Sequence, residues 1–181
     1  LRKYYFKKLI EDNNIIFIAD VNEENKVEKV KYNIVDINNE VEFMKVYSKF
    51  ELNETLNIVL HCRGGDISSS DAIINILHLH NGIINIYIPM IAYSAASMIA
   101  LCGDNIYMNN YALISPVDPQ IDFGNEEEEV MGPVKSYIKI VNNKGVKNLD
   151  SKFLLKYYEC KSLYEDNLRN MKKILLGKHS R

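Results

Sequence analysis

The sequence predicts an α/β fold built on parallel strands, and three observations carry that expectation. Short β-branched runs alternate with helical patterns through the middle of the chain. The 46 residues from Ala72 to Val117 hold a single charge, Asp104, where the overall charged fraction of 25% would place about a dozen. Two successive strand-to-helix junctions carry small residues, Gly64-Gly65 at the first and Ser94-Ala95-Ala96 at the second. Strands this apolar are expected inside a parallel sheet with both faces covered. The uncharged stretch is not a membrane span, because Asn75, His78, His80, Asn81, Gly82, Asn85, Pro89, Ser94 and Ser97 interrupt it. Each apolar piece is shorter than the ~20 residues a spanning helix needs.

Each element follows from its local pattern. Over residues 2–12, Tyr5, Phe6, Leu9 and Ile10 recur among charges at helical spacing, and Ile15–Ala19 is a β-branched strand. Asn22–Lys31 is polar and reads as a loop or hairpin. Glu40–Lys49 is a second helical pattern, with Val41, Met44 and Tyr47 on one face. Leu56–His61 is a buried strand, Gly64-Gly65 a turn, and Ser68–His80 a helix opened by Ser and Asp residues suited to capping. Ile83–Ile88 is a strand, Ala92–Leu101 a helix of small residues, and Asn105–Met108 and Ala112–Ile114 are strands. The acidic segment Gln120–Val130 reads as a loop, a mobile lid or simply a solvated one. Pro133–Asn143 and Ser151–Leu176 are helices, the second about seven turns long.

Composition narrows the function classes. With 22 Lys+Arg against 24 Asp+Glu, the chain has no general field for polyanions, so no nucleic-acid partner is expected. No internal repeat is visible, and residues 1–181 are read as one domain. Cys62, Cys102 and Cys160 are odd in number and match no metal spacing, which points to a reducing, cytoplasmic setting without a metal site. The chain starts Leu1-Arg2-Lys3 without an initiator Met, so it is read as a piece of a longer protein, and with no apolar run there it shows no signal peptide. Membrane association would then need an anchor outside it.

Two features bear on chemistry. Gly64-Gly65 directly after a strand can turn backbone amides toward the C-terminal edge of the sheet, although a plain tight turn is the more ordinary reading of a lone glycine pair. It is no phosphate loop, since neither GxGxxG nor GxxxxGK[ST] is present. Ser94 at a helix start benefits from the helix dipole, and the amide that follows can face a developing oxyanion. Its ordinary alternative is an N-cap. Parallel pairing of the two strands would bring both junctions to one edge, where a nucleophile and an amide pair could face each other.

As an ordered set, Asn57-Ile58-Val59-Leu60-His61-Cys62-Arg63-Gly64-Gly65, Ile88-Pro89-Met90-Ile91-Ala92-Tyr93-Ser94, Ile99-Ala100-Leu101, Asp104-Asn105-Ile106-Tyr107-Met108 and Ser115-Pro116-Val117-Asp118-Pro119-Gln120 resemble the serine dehydrogenase proteinase family. These are relatives of signal peptide peptidase A in the ClpP/crotonase superfamily, and the likeness runs from Arg2 to Leu176. It implies a ClpP/crotonase-like fold of stacked ββα units with a long C-terminal helix, a peptide or protein substrate, no cofactor and a homo-oligomer. It implies Ser94 at the nucleophile position, with oxyanion donors in the Gly64-Gly65 loop, at the amide of Gly65, and at the amide of Ala95. Ser97 is a rival, since Ala95-Ala96-Ser97-Met98 looks like the ClpP nucleophile motif, but spacing from the Asp104–Met108 strand favours Ser94.

The resemblance further implies a Ser-Lys dyad. No histidine stands near Ile114-Ser115-Pro116, where ClpP carries its base, and His61, His78, His80 and His179 lie elsewhere. A lysine dried by its pocket can take the serine proton. Lys161 matches best, with Phe153, Tyr157, Tyr164 and Leu168 expected to give it a buried face. A solvated surface lysine is the alternative. Lys144 and Lys135 are reserves, Lys144 being also suited to close a helix before Gly145. Arg63, Tyr93 and Asp118 are expected at the substrate. Ser94-Ala95-Ala96 replaces the usual Ser-Gly-Gly, and Cys62-Arg63 the usual Thr-Pro, which keeps an inactive peptide-binding scaffold open. An acyl-CoA enzyme of the crotonase type is the weakest class, for no glutamate lies near the glycine pair or Ser94 in sequence.

Overall fold

The computed structural model describes residues 15–19, 34–124 and 130–178, so the helix expected over 2–12 and the polar Asn22–Lys31 segment lie outside it. The chain divides into two compact units that meet in sequence at Val117 and Asp118, the second running to Leu176. The first contains, in chain order, β1 (Ile15–Ala19), β2 (Ile34–Asp36), α1 (Glu40–Tyr47), β3 (Leu56–His61), α2 (Ile67–His78), β4 (Ile84–Ile88), β5 (Ile91–Ala92), α3 (Ala95–Ala100), β6 (Asn105–Met108) and β7 (Leu113–Ile114). Five strands form one sheet in the order β2-β1-β3-β4-β6, and every pairing is parallel.

Register explains the core. Ile16 pairs with Ile58 and Ile58 with Ile86, a row across three strands in which all three side chains are fully buried. Each such burial is worth roughly 1.5–3 kcal/mol. The alternate residues behave differently. Asn57, Asn85 and Asn105 stand in register, Asn105 donating to Asn85 and Asn85 to Asn57 at 3.0 Å each, while Tyr87 and Tyr107 stack beside them with centroids 4.9 Å apart. The expectation of two covered faces is thus met on one; the other carries an amide ladder and half-exposed tyrosines.

The helices cap and pack by ordinary means, with corrections to their expected faces and ends. Asn39 caps α1 through the Glu42 amide, and its buried stripe is Phe43, Val46 and Tyr47. Val41 and Met44, expected inside, are 48% and 54% exposed, because the larger Phe43 defines the face and lies off their side of the helix. Asp66 caps α2 through the Ser69 amide. That helix stops at His78, two residues before its expected end. His80 lies beyond it, fully buried, with Nε2 2.8 Å from the Glu54 carbonyl and Nδ1 3.0 Å from the Tyr47 hydroxyl. A carbonyl only accepts, so Nε2 carries a proton and donates to Glu54. Ala92, expected to open a helix, is in β5 instead: Cys62 donates to the Ile91 carbonyl and Tyr93 donates to the Cys62 carbonyl, which draws the segment into sheet pairing. β2, too short to show a period, exists through its pairing with β1.

The second unit contains β8 (Gln120–Asp122), β9 (Met131–Pro133), α4 (Val134–Lys144), a 3₁₀ turn (Val146–Asn148) and, as far as Leu176, α5 (Ser151–Lys178). The acidic segment expected as a loop is therefore an antiparallel hairpin at its ends. Asp122 closes it, its carboxylate accepting the Gly124 and Val130 amides at 2.8 Å each. Those two bonds hold the Asp122 carboxyl below the usual carboxylate range. Ile121, Val134 and Cys160 form a small core, with Phe123, Tyr137, Ile138, Leu163 and Tyr164 packed against it. Burial, and then Glu159, push the Cys160 thiol up, so it stays a protonated core residue. Among the described residues no helix is long and apolar enough to cross a membrane.

Two outcomes follow. Urea unfolding of Phe43→Ala is expected to show a loss of about 3–5 kcal/mol, against under about 0.5 kcal/mol for exposed Met44→Ala. A carboxyl depressed by folding stabilises above its unfolded pKa and loses that contribution as pH falls through the folded value. Hydrogen-exchange protection of the Val130 amide is therefore expected to fall at pH below the usual carboxylate range in the wild type and to show no such step in Asp122→Asn.

Candidate active site

Three strand ends converge at the C-terminal edge of the sheet, where open α/β folds bind ligands. After β3, Gly64 adopts φ +113, a conformation that disfavours any side chain. A Cβ placed there would lie 3.0 Å from both the Ser94 Cβ and the Tyr93 carbonyl. Glycine is what lets the two junctions approach. The buried Cys62 thiol braces the turn, 3.4 Å from the Gly64 amide and 3.3 Å from its carbonyl. A Cβ at Gly65 would collide with the Asn38 side-chain oxygen and lie 2.6 Å from Ile37 Cγ2. Asn38 follows β2; its Oδ1 accepts the Asp66 amide at 2.7 Å, and its own side-chain and backbone N–H groups donate to Asp36 at 3.2 and 3.0 Å.

Ser94 has φ 50 and ψ −121, and no other described residue except glycine has positive φ. This is the corner of a type II′ turn, normally a glycine position, and a side chain there costs about 1–3 kcal/mol. Ser94 precedes α3 at the capping position yet makes no side-chain cap bond, so the ordinary N-cap reading does not describe it. Its backbone amide donates to Ser115 Oγ at 2.9 Å. The amides of Gly65 and Ala95 meet no acceptor among the described residues. Ser97 is buried, and its hydroxyl lies 2.7 Å from the Ala92 carbonyl and 2.8 Å from the Ser115 carbonyl, which commits it to structure.

The remaining expected residues fall as follows. Arg63, just before the glycine pair in sequence, is exposed, and Tyr93, whose carbonyl faces Gly64, is partly buried. The Asp118 carboxylate accepts the Lys135 amide at 3.3 Å, fastening the start of α4. Lys135 is in the first turn of that helix and Lys144 in the last, before Gly145. Lys161, on α5, is half exposed, with its amine 4.0 Å from Glu165 one turn on. Its expected buried face is corrected: Tyr157 is buried, but Phe153 and Leu168 are 53% and 49% exposed. Cys160 points into the core, and the next residue on a helix turns about 100° away. The first unit thus brings together Gly64, Gly65, Ser94 and Ala95, whereas Asp118 and the three lysines belong to the second. Among the described residues no three His, Cys, Asp or Glu side chains group to hold a metal.

Two residues gained their importance only from the structure. Asp36-x-Asn38 at a strand end is a readable turn signal, but the bond from the Asp66 amide to Asn38, next to the glycine pair, spans 28 residues. Ser115 opens the Ser115–Gln120 motif, and nothing local in the sequence points to its bond with the Ser94 amide.

A parallel sheet with a strained serine at a strand-to-helix corner, set against a glycine turn, defines an α/β protein. The model of the ClpP-like SDH-type serine proteinase family matches residues 5–175, and the chain belongs to that family. Two uncharacterized proteins of Methanocaldococcus jannaschii are 26% and 28% identical to it over 124 residues, 68% of this chain. The match spans only 41% and 40% of their lengths. Two solved structures of variants of the 1510-N membrane-bound stomatin-specific protease, one with a substrate peptide, are similar at TM-scores of 0.42 and 0.43. They are 16% and 17% identical, covering 71% and 73% of this chain and 60% and 59% of theirs.

The approach of the two junctions sets a test at Gly64. Gly64→Ala is expected to lose about 2 kcal/mol or more in urea unfolding, from the positive φ together with the overlap.

Proposed function

We propose that the chain is the catalytic part of a serine peptidase in which Ser94 is the nucleophile. The carrying observation is the Ser94 corner, with a hydroxyl that caps no helix, against the Gly64-Gly65 turn. Ser94 Oγ bonds to the carbonyl carbon of a peptide while its proton passes to a lysine amine. The amides of Gly65 and Ala95, which meet no acceptor among the described residues, suit the oxyanion that forms. Collapse breaks the C–N bond, the lysine returns its proton to the leaving amine, and water then hydrolyses the acyl ester. Arg63 and Tyr93, beside the turn, contact the peptide, with Asp118 in the same role by family resemblance.

Lys161 is the base by resemblance; to act, it leaves Glu165 for a drier place. Lys135 is the second reading. Its amide is held by Asp118, a residue that the same resemblance assigns to the substrate. Lys144 stays a helix-closing residue. A homo-oligomer joined through α5 belongs to the same reading, supported by its exposed Leu155, Tyr158, Leu175 and Leu176.

A fluorophosphonate probe on the full-length protein tests this. Wild type is expected to label at Ser94, and Ser94→Ala to lose labelling entirely. Removing the base is expected to slow labelling about 10²–10⁴-fold. That loss in Lys161→Ala supports the resemblance, and in Lys135→Ala the second reading. Equal labelling of wild type and Ser94→Ala rejects the nucleophile, and a wild type that binds peptide without labelling favours the inactive scaffold.

A further inference from the structure

Ser115, immediately after β7, reaches the Ser94 corner with three groups. Its amide donates to the Ala92 carbonyl at 3.3 Å, its Oγ accepts the Ser94 amide at 2.9 Å, and its carbonyl accepts the Ser97 hydroxyl at 2.8 Å. Pairing of Ile91 with Leu113 and Ala92 with Ile114 sets this reach. The Ser115 hydroxyl has its own acceptor, the Pro116 carbonyl at 3.2 Å, so its lone pair is what faces Ser94. The strand before the corner, the corner amide and the first turn of α3 are thus tied to one residue 21 positions further along the chain.

The corner needs such a tie. At φ 50 and ψ −121 a serine gains by rotating toward negative φ, which would swing Cβ and the hydroxyl relative to the Ser94 amide. With the preceding peptide held by Ser115 Oγ, and α3 held through Ser97, that rotation has no room.

We infer that Ser115 is a positioning residue for the nucleophile, clamping both flanks of the Ser94 corner so that its hydroxyl stays beside the Gly65 and Ala95 amides. Ser115 touches no reacting atom. The functional half of this inference rests on Ser94 being the nucleophile; the clamp itself does not.

The experiment combines Ser115→Ala with Ser94→Gly in the full-length protein, reading thermal midpoints and the fluorophosphonate labelling rate. Glycine holds the corner without help. Ser115→Ala is therefore expected to lower the midpoint by several degrees when residue 94 is serine and by clearly less when it is glycine. In the Ser94 background it is expected to slow labelling about 10- to 100-fold, whereas Ser115→Thr, which keeps the oxygen, restores the rate. Should Ser115→Ala not fold, Ser115→Cys keeps the shape with a weak acceptor and gives the same comparison. Equal midpoint losses in both backgrounds overturn the clamp whatever the labelling. Coupled midpoints with undiminished labelling overturn the positioning role. Coupled midpoints in a protein whose wild type does not label support the clamp and remove the peptidase reading alone.

Discussion

At Gly64 the end of β3 meets the junction after β4 so closely that a single added carbon would lie 3.0 Å from Ser94 and from the Tyr93 carbonyl. The candidate site depends on that approach. Parallel register between β3 and β4 sends both chains to the same edge, and the absence of a side chain at Gly64 lets their backbones touch. A second contact, Asn38 beneath Gly65, braces the turn from the end of β2. Three consecutive crossings of the sheet therefore shape one small volume of backbone.

The approach has an energetic consequence at Ser94. A serine in a glycine conformation is disfavoured by about 1–3 kcal/mol, and it persists only where the surroundings over-determine it. Here the surroundings are hydrogen bonds from outside the corner: Ser115 to Ser94, and Ser97 to Ser115 and Ala92. The arrangement explains why two serines three positions apart have opposite fates. Ser97 is buried and bonded, whereas Ser94 keeps its hydroxyl off the helix end. Rigid α3, with every residue from Ala95 to Ala100 buried, anchors the downstream side.

Much of the first unit was legible because its strands are short β-branched runs with a period of two, and β1, β3 and β6 match their expected limits. Where small residues dominate, local pattern is ambiguous: Ala92 looks helical, and sheet bonds to Cys62 make it a strand. Val41 and Met44 are as apolar as Phe43, and only the sheet decides which of them turns inward. The hairpin at Asp122 depends on a carboxylate reaching an amide eight residues away, which no periodicity reports. At the site, Ser94 and the glycine pair were visible as junction residues of consecutive strands. The burial expected for Lys161 failed because its neighbour Cys160 takes the core position. Asn38 and Ser115 escaped notice because their importance lies in contacts 28 and 21 residues away.

The central claim is that the Ser94 hydroxyl and the two amides form one acyl-transfer site. A crystal structure of the full-length protein treated with a peptide boronate tests it most directly. The account predicts boron bonded to Ser94 Oγ, with one boronate oxygen about 3 Å from the amides of both Gly65 and Ala95. Boron on Ser97 or another residue, or on Ser94 with its oxygens turned away from both amides, would contradict it.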